Sequence, residues 1–136
     1  VKARPWLIKP NREEAQELLG GRLRTHRDAV EAARALQRRG ISVVMLSLGG
    51  EGALLAMAGG VWQAGTPRVK VRSAVGAGDA LVGGFLAGWL QRCSMTEAFR
   101  WGVAAGTATV MTPGTELCHA RDVRRLLRRV TVQRAG

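Results

Sequence analysis

Gly76-Ala77-Gly78-Asp79 sets two glycines and one carboxylate directly ahead of the apolar segment Ala80-Leu81-Val82. Glycines at that spacing can take backbone conformations closed to other residues, so successive N–H groups can point into one small space. If a helix starts there, its unpaired amide donors and the positive end of its dipole face the same space. Such an arrangement attracts a phosphate, or the charge that builds up during phosphoryl transfer. Asp79 would stand beside that anion site, where a carboxylate can take a proton from an attacking hydroxyl. Aspartate also caps helices, and the spacing alone leaves capping and catalysis both open.

The elements that must hold this turn are legible around it. Trp6-Leu7-Ile8 is a short apolar run stopped by Pro10, as for a strand ending at a loop. Asn11 could cap a short helix through Leu18 and Leu19, closed by Gly20-Gly21. A second helix is expected from about Arg27 to Arg39, with Ala29, Val30, Ala33 and Leu36 on its apolar face. Ile41 to Leu48 is almost continuously apolar and reads as a buried parallel strand. Ala53 to Met57 and Val61 to Ala64, around Gly59-Gly60, read as a hairpin, and Val69 to Val71 as a short strand.

The helix after Gly78 carries Leu81, Val82, Phe85, Leu86, Trp89 and Leu90 at helical spacing. Gly83, Gly84 and Gly88 would let a neighbour pack closely, at a cost in helix propensity. Ser94-Met95-Thr96-Glu97 is a capping-box pattern opening a helix through about Thr109, and a last helix is expected from Ala120 to Val130. Strands alternating with helices point to an α/β layered domain with parallel strands, residues 1–136 forming one domain. In such sheets ligands sit at the carboxyl ends of strands, so the loops at Asn11, Gly49 and Gly76 would share one site.

Composition narrows the function classes. The chain has 136 residues, 46% of them hydrophobic, which suits a globular fold rather than a disordered one. No apolar run is long enough to span a bilayer. Net charge is +11, from 21 basic and 10 acidic residues, which raises nucleic-acid binding. The arginines are dispersed, however, and no basic–aromatic alternation forms a base-stacking platform, so that class ranks last. Anionic substrates such as ATP and sugar phosphates would be drawn by the same charge. Cys93, Cys118, His26 and His119 show no disulfide or metal-ligand spacing, and a reducing cytoplasm fits best. Val1 is not a methionine and the chain opens almost directly into a strand, so a piece of a longer protein is expected.

Val75-Gly76-Ala77-Gly78-Asp79-Ala80 followed by Gly83-Gly84-Phe85 resembles the C-terminal signature of the PfkB, or ribokinase-like, carbohydrate kinases. Three further segments agree in order: Lys9-Pro10-Asn11-Arg12-Glu13-Glu14, then Ser47-Leu48-Gly49-Gly50-Glu51-Gly52, then Gly102 to Thr107 with Gly114-Thr115. Within that family the likeness is nearest to bacterial phosphofructokinases, including the tagatose-6-phosphate and fructose-1-phosphate kinases. The resemblance implies a ribokinase-like layered fold with a parallel sheet flanked by helices, of which this chain matches only the C-terminal portion.

It also implies ATP-dependent phosphoryl transfer to a sugar-phosphate hydroxyl, with fructose 6-phosphate first among the acceptors. Asp79 would be the base, and Gly76, Ala77 and Gly78 the anion hole. Ser47, Gly49, Gly50 and Gly52 would line the nucleotide, with Lys9 and Asn11 near its phosphates, Asn11 through a Mg²⁺-bound water. Val103 and Thr107 would contact adenine. Some members hold a monovalent cation, K⁺ among the candidates, and the matching positions are Ser73, Val75, Thr109, Thr112, Gly114 and Glu116. Thr112 and Glu116 depart from the residue types of the nearest members. The N-terminal sugar-binding half is not matched, so the competing expectation is a nucleotide-binding module without autonomous transfer, completed by that half or paired as a homodimer.

Overall fold

Pro10 and Gly40 bracket the first crossover in the computed structural model, which describes residues 4–73, 75–113 and 118–136. The chain divides into two compact units, one reaching to Gln63 and regaining Gln133–Gly136, the other spanning Ala64–Val132. In the first, β1 (Leu7–Ile8), α1 (Arg12–Leu19), α2 (His26–Arg38) and β2 (Val43–Ser47) follow in order. Leu7 lies opposite Val43 and Ile8 opposite Val44, so β1 and β2 are parallel. Parallel neighbours need a long crossover, which the two helices supply.

A 3-10 turn at Gly49–Glu51 leads into β3 (Ala53–Met57) and β4 (Gly60–Ala64), and β5 (Val132–Arg134) completes the sheet order β1-β2-β3-β4-β5. Val44 pairs with Ala56 and Ser47 with Ala53, so β2 and β3 run antiparallel. The sheet is therefore mixed, and the parallel arrangement expected holds for β1 and β2. Chain length is the reason. The Leu48 N–H donates to the Gly52 carbonyl at 2.8 Å, closing a turn too short for a crossover.

Ala29, Val30, Ala33 and Leu36 of α2 share one buried cluster with Val44, Leu46, Leu54, Ala56 and Val61. Their spacing is that of a helix stripe against the inner face of strands. Val43 and Met45, on the other face of β2, are buried too, as a continuous apolar run requires.

Thr25 starts α2: its Oγ1 accepts the Asp28 N–H at 3.1 Å, while the Asp28 carboxylate accepts the N–H groups of Arg24 and Thr25. These donors, that of Arg24 first, hold the Asp28 carboxyl below its ordinary value. A lowered folded value means the ionised cap stabilises the fold above the unfolded carboxylate value, about 3.9. That contribution is lost as pH falls through the folded value. Asp28→Asn is expected to flatten the acid side of a melting-temperature profile, where pH falls below the unfolded carboxylate value. A profile identical to the parent's would show that the cap contributes nothing.

The second unit holds α3 (Ala77–Leu90), α4 (Met95–Val110) and α5 (Ala120–Leu127). α3 and α4 meet through glycines: a Cβ built at Gly102 would lie 2.5 Å from the Leu81 carbonyl oxygen. One at Gly84 would lie 2.9 Å from that of Trp101. Arg100 ties α4 to the end of α5, donating to the carbonyls of Val130 at 2.9 Å and Leu127 at 2.5 Å. Its remaining arm pairs with Glu97. Glu97 is thus drawn away from the helix start, where the Ser94 hydroxyl accepts the Glu97 N–H at 3.2 Å and only that arm of the expected box is seen.

No strand forms at Val69–Val71; instead Arg72 and Ser73 donate their N–H groups to the Val110 carbonyl. The last helix ends at Leu127 rather than Val130. Among the described residues no helix is long and apolar enough to cross a membrane.

Candidate active site

Gly76 caps α3 at φ +82° and ψ −2°, a left-handed conformation that a residue with a Cβ adopts only with strain. Ala77, Gly78 and Asp79 form the first turn. The first intrahelical bond runs from the Ala80 N–H to the Gly76 carbonyl at 2.9 Å, so the three preceding N–H groups lack helical acceptors. No side chain caps this end. The Asp79 carboxylate is exposed and bonds to no described residue, which removes the capping alternative for it. Open donors and a free carboxylate thus occupy the same helical turn.

α4 positions that turn from beneath. The Val110 carbonyl accepts from Arg72 at 2.7 Å and Ser73 at 3.2 Å, and the Ser73 hydroxyl accepts the Val75 N–H at 3.2 Å. A Cβ on Gly106 would stand 3.2 Å from the Ala77 carbonyl oxygen, so the start of α3 rests closely on α4.

Of the expected cation ligands, Ser73 and the end of α4 are brought together by that backbone bond. Thr109 and Thr112 are buried, and their hydroxyls donate to the carbonyls of Ala105 and Ala108 at 2.9 and 3.0 Å. Their side chains are therefore committed to the helix backbone. Gly114 and Glu116 lie outside the described residues. Val103 and Thr107 are 5% and 3% exposed, and the Thr107 hydroxyl donates to the Val103 carbonyl at 2.8 Å. Both side chains are thus buried, and the Thr107 hydroxyl is engaged by its own helix.

In the first unit the carboxyl ends of β1 and β2 bring Asn11 and Ser47 side by side, joined by the Ser47 N–H to Pro10 carbonyl bond at 3.0 Å. The Asn11 Oδ1 accepts the Glu14 N–H at 2.8 Å and so caps α1. That oxygen is already engaged, which leaves the Asn11 side-chain NH₂ as the free group. Lys9 is half-buried. Gly49 and Gly52 have positive φ, +59° and +96°, which residues with a Cβ rarely adopt. Gly50 is different. It is exposed, its φ is ordinary and a Cβ there would meet nothing within 4 Å, so neither strain nor packing calls for glycine.

Arg12 and Glu51 were not singled out from the sequence. The Arg12 guanidinium donates to the Leu23 carbonyl and pairs with Glu51 at 2.9 Å, lacing the glycine turn to the start of α1. The pair is partly exposed, so it positions the loop more than it stabilises the fold. Arg12 follows Asn11 directly and Glu51 sits between loop glycines, but their 39-residue separation leaves no periodic signal.

A family model described as pfkB family carbohydrate kinase matches residues 1–121. The chain belongs to that family. A 1-phosphofructokinase of Escherichia coli is 41% identical over 133 residues, covering 98% of this chain and 43% of its own length. Phosphofructokinase-2 from Escherichia coli, solved in complex with potassium, superposes with TM-score 0.84 at 35% identity, over 90% of this chain and 40% of its own. A ribokinase from Thermotoga maritima shares the fold, with TM-score 0.78 at 24% identity. This pfkB-family chain thus spans less than half the length of the relatives it matches, and its fold is ribokinase-like.

Proposed function

We propose that this chain is the C-terminal, nucleotide-handling part of a kinase that transfers phosphate from ATP to a hydroxyl of a fructose phosphate. The turn at Gly76–Asp79, with unpaired N–H donors beside a free carboxylate, carries the reading. Asp79 takes the proton of the attacking hydroxyl as its oxygen bonds to the γ-phosphorus. The bond from that phosphorus to the β–γ bridging oxygen breaks, and ADP leaves. The N–H groups of Ala77, Gly78 and Asp79 donate to the charge on the transferred group. Gly49, Gly50 and Gly52 let the nucleotide approach the backbone, with Lys9 and Ser47 beside it.

No cluster of three or more His, Cys, Asp or Glu is placed for a metal among the described residues. Mg²⁺ would be held mainly by the substrate phosphates and water, as is usual for it, with Asn11 reached through one of those waters. A monovalent cation would rest on backbone carbonyls at Ser73, Val75, Thr109 and Thr112. The names of the curated relatives set fructose 1-phosphate ahead of fructose 6-phosphate as acceptor. Because the chain spans only 43% of such a relative, the second reading is nucleotide binding without autonomous transfer.

Calorimetric titration of the 136-residue chain with MgATP, followed by ADP release with each fructose phosphate, tests both readings. Saturable binding with acceptor-dependent release supports the kinase, and binding without release supports the second reading. No MgATP binding, with salt-sensitive binding to DNA instead, would overturn both.

A further inference from the structure

Arginines that stand far apart in the chain meet within the second unit. On α5 and its cap, Arg121, Arg124, Arg125 and Arg128 are exposed at the i, i+3, i+4, i+7 spacing of a single stripe. The other side of that helix is already engaged: Leu126 is buried, and Arg100 of α4 holds the carbonyls of Leu127 and Val130. Arg129, next in line, donates to the Arg68 carbonyl at 3.0 Å, across 61 residues of chain. That bond sets the exposed Arg68, Lys70 and Arg72 beside the end of α5, and the Val110 carbonyl holds the Arg72 N–H at 2.7 Å. Within residues 66–73 and 118–130, eight Lys and Arg stand against one carboxylate, Asp122. Among the described residues no ion pair involves any of the eight. Gathered like charge repels itself and works against a compact fold, and here no ion pair offsets it.

We propose that this face binds the sugar–phosphate backbone of a nucleic-acid duplex without reading its sequence. Seven of the eight cations are arginine, whose planar fork takes phosphate oxygens in pairs and is less tightly hydrated than an ammonium. A helix that lies on a membrane surface needs an apolar side free to enter it, and that side of α5 is packed. Neither stretch holds a Phe or Trp, so there is no platform on which single-stranded bases could stack. Binding would rest on phosphate contacts, each releasing counterions from the duplex. It does not depend on phosphoryl transfer by the same chain.

The test is fluorescence anisotropy of a labelled duplex titrated with the 136-residue chain across a salt series. A Kd of about 1–100 μM at physiological salt is expected. Arg124→Gln combined with Arg128→Gln should lower the slope of log K against log salt by about two, one for each lost phosphate contact. Arg22→Gln combined with Arg38→Gln removes the same charge from exposed positions of the first unit and should leave the slope unchanged. None of these four side chains bonds to another described residue, so the fold does not depend on them. Equal losses from the two pairs would reduce the effect to overall charge and overturn the proposal, as would absence of duplex binding. Tighter binding to polyglutamate or to phosphatidylserine vesicles, at equal anionic charge, would assign the face to an acidic protein or a membrane and overturn it too.

Discussion

Asp79→Asn is expected to lower turnover by about 10²–10⁴-fold while leaving MgATP affinity within a factor of a few, in whichever assembly of this chain is active. The asymmetry follows from what Asp79 touches. Its carboxylate is exposed and makes no bond to a described residue, so the amide leaves no structural partner behind. The nucleotide contacts proposed at Gly49, Gly50 and Lys9 are untouched. What is lost is a group able to accept a proton at the open end of α3. A helix N-terminus also favours negative charge by about 0.3–1 kcal/mol, so the melting temperature should fall slightly. Steady-state kinetics and a thermal melt on the same preparation separate these effects. Unaltered turnover would remove Asp79 from the mechanism, and a large loss of MgATP affinity would reassign it to nucleotide binding.

The second large effect is on the fold. Gly102→Ala is expected to destabilise the α3–α4 pair by about 1–3 kcal/mol, the usual range for overpacking. The added methyl would sit 2.5 Å from the Leu81 carbonyl oxygen and 3.3 Å from the Phe85 backbone nitrogen. Both are backbone atoms of a helix, so no side-chain rotation relieves the clash and α3 must move. Helix propensity alone predicts the opposite sign, a gain of about 0.8–1.0 kcal/mol for Gly→Ala. Urea unfolding decides between the two. A lower midpoint with an unchanged slope supports close packing, and a higher midpoint would mean the helices are not in contact at Gly102.

Much of this architecture follows from local chemistry and was legible in the residues. The stripe Ala29, Val30, Ala33, Leu36 marked α2, with its end near Gly40, and the β-branched run before Ser47 marked a buried strand. Glycine at position 76 announced the start of α3, and Ser94 that of α4. These signals survive because a cap, a positive φ or an apolar periodicity is a property of a few adjacent residues. The Val69–Val71 segment misled, since its alternation fits a strand but the Val110 carbonyl takes the N–H groups of Arg72 and Ser73 that follow it. β5 was hidden because Val132-Gln133-Arg134 is too short and polar to stand out without its neighbour β4.

At the candidate site the division is sharper. The sequence by itself determined that glycines and Asp79 lie together in one turn, that Asn11 and Ser47 end strands, and that the chain resembles pfkB kinases. Those are consequences of residue type and order. Tertiary structure alone decided that Asp79 is not a cap, that the hydroxyls of Thr107, Thr109 and Thr112 are held by their own helix, and that Arg12 reaches Glu51. It also decided which glycines answer to packing, as Gly102 does, and which do not, as Gly50 and Gly83. Each of these depends on which atoms meet across distant parts of the chain, and hydrogen bonds and steric contacts of that kind leave no trace in local pattern.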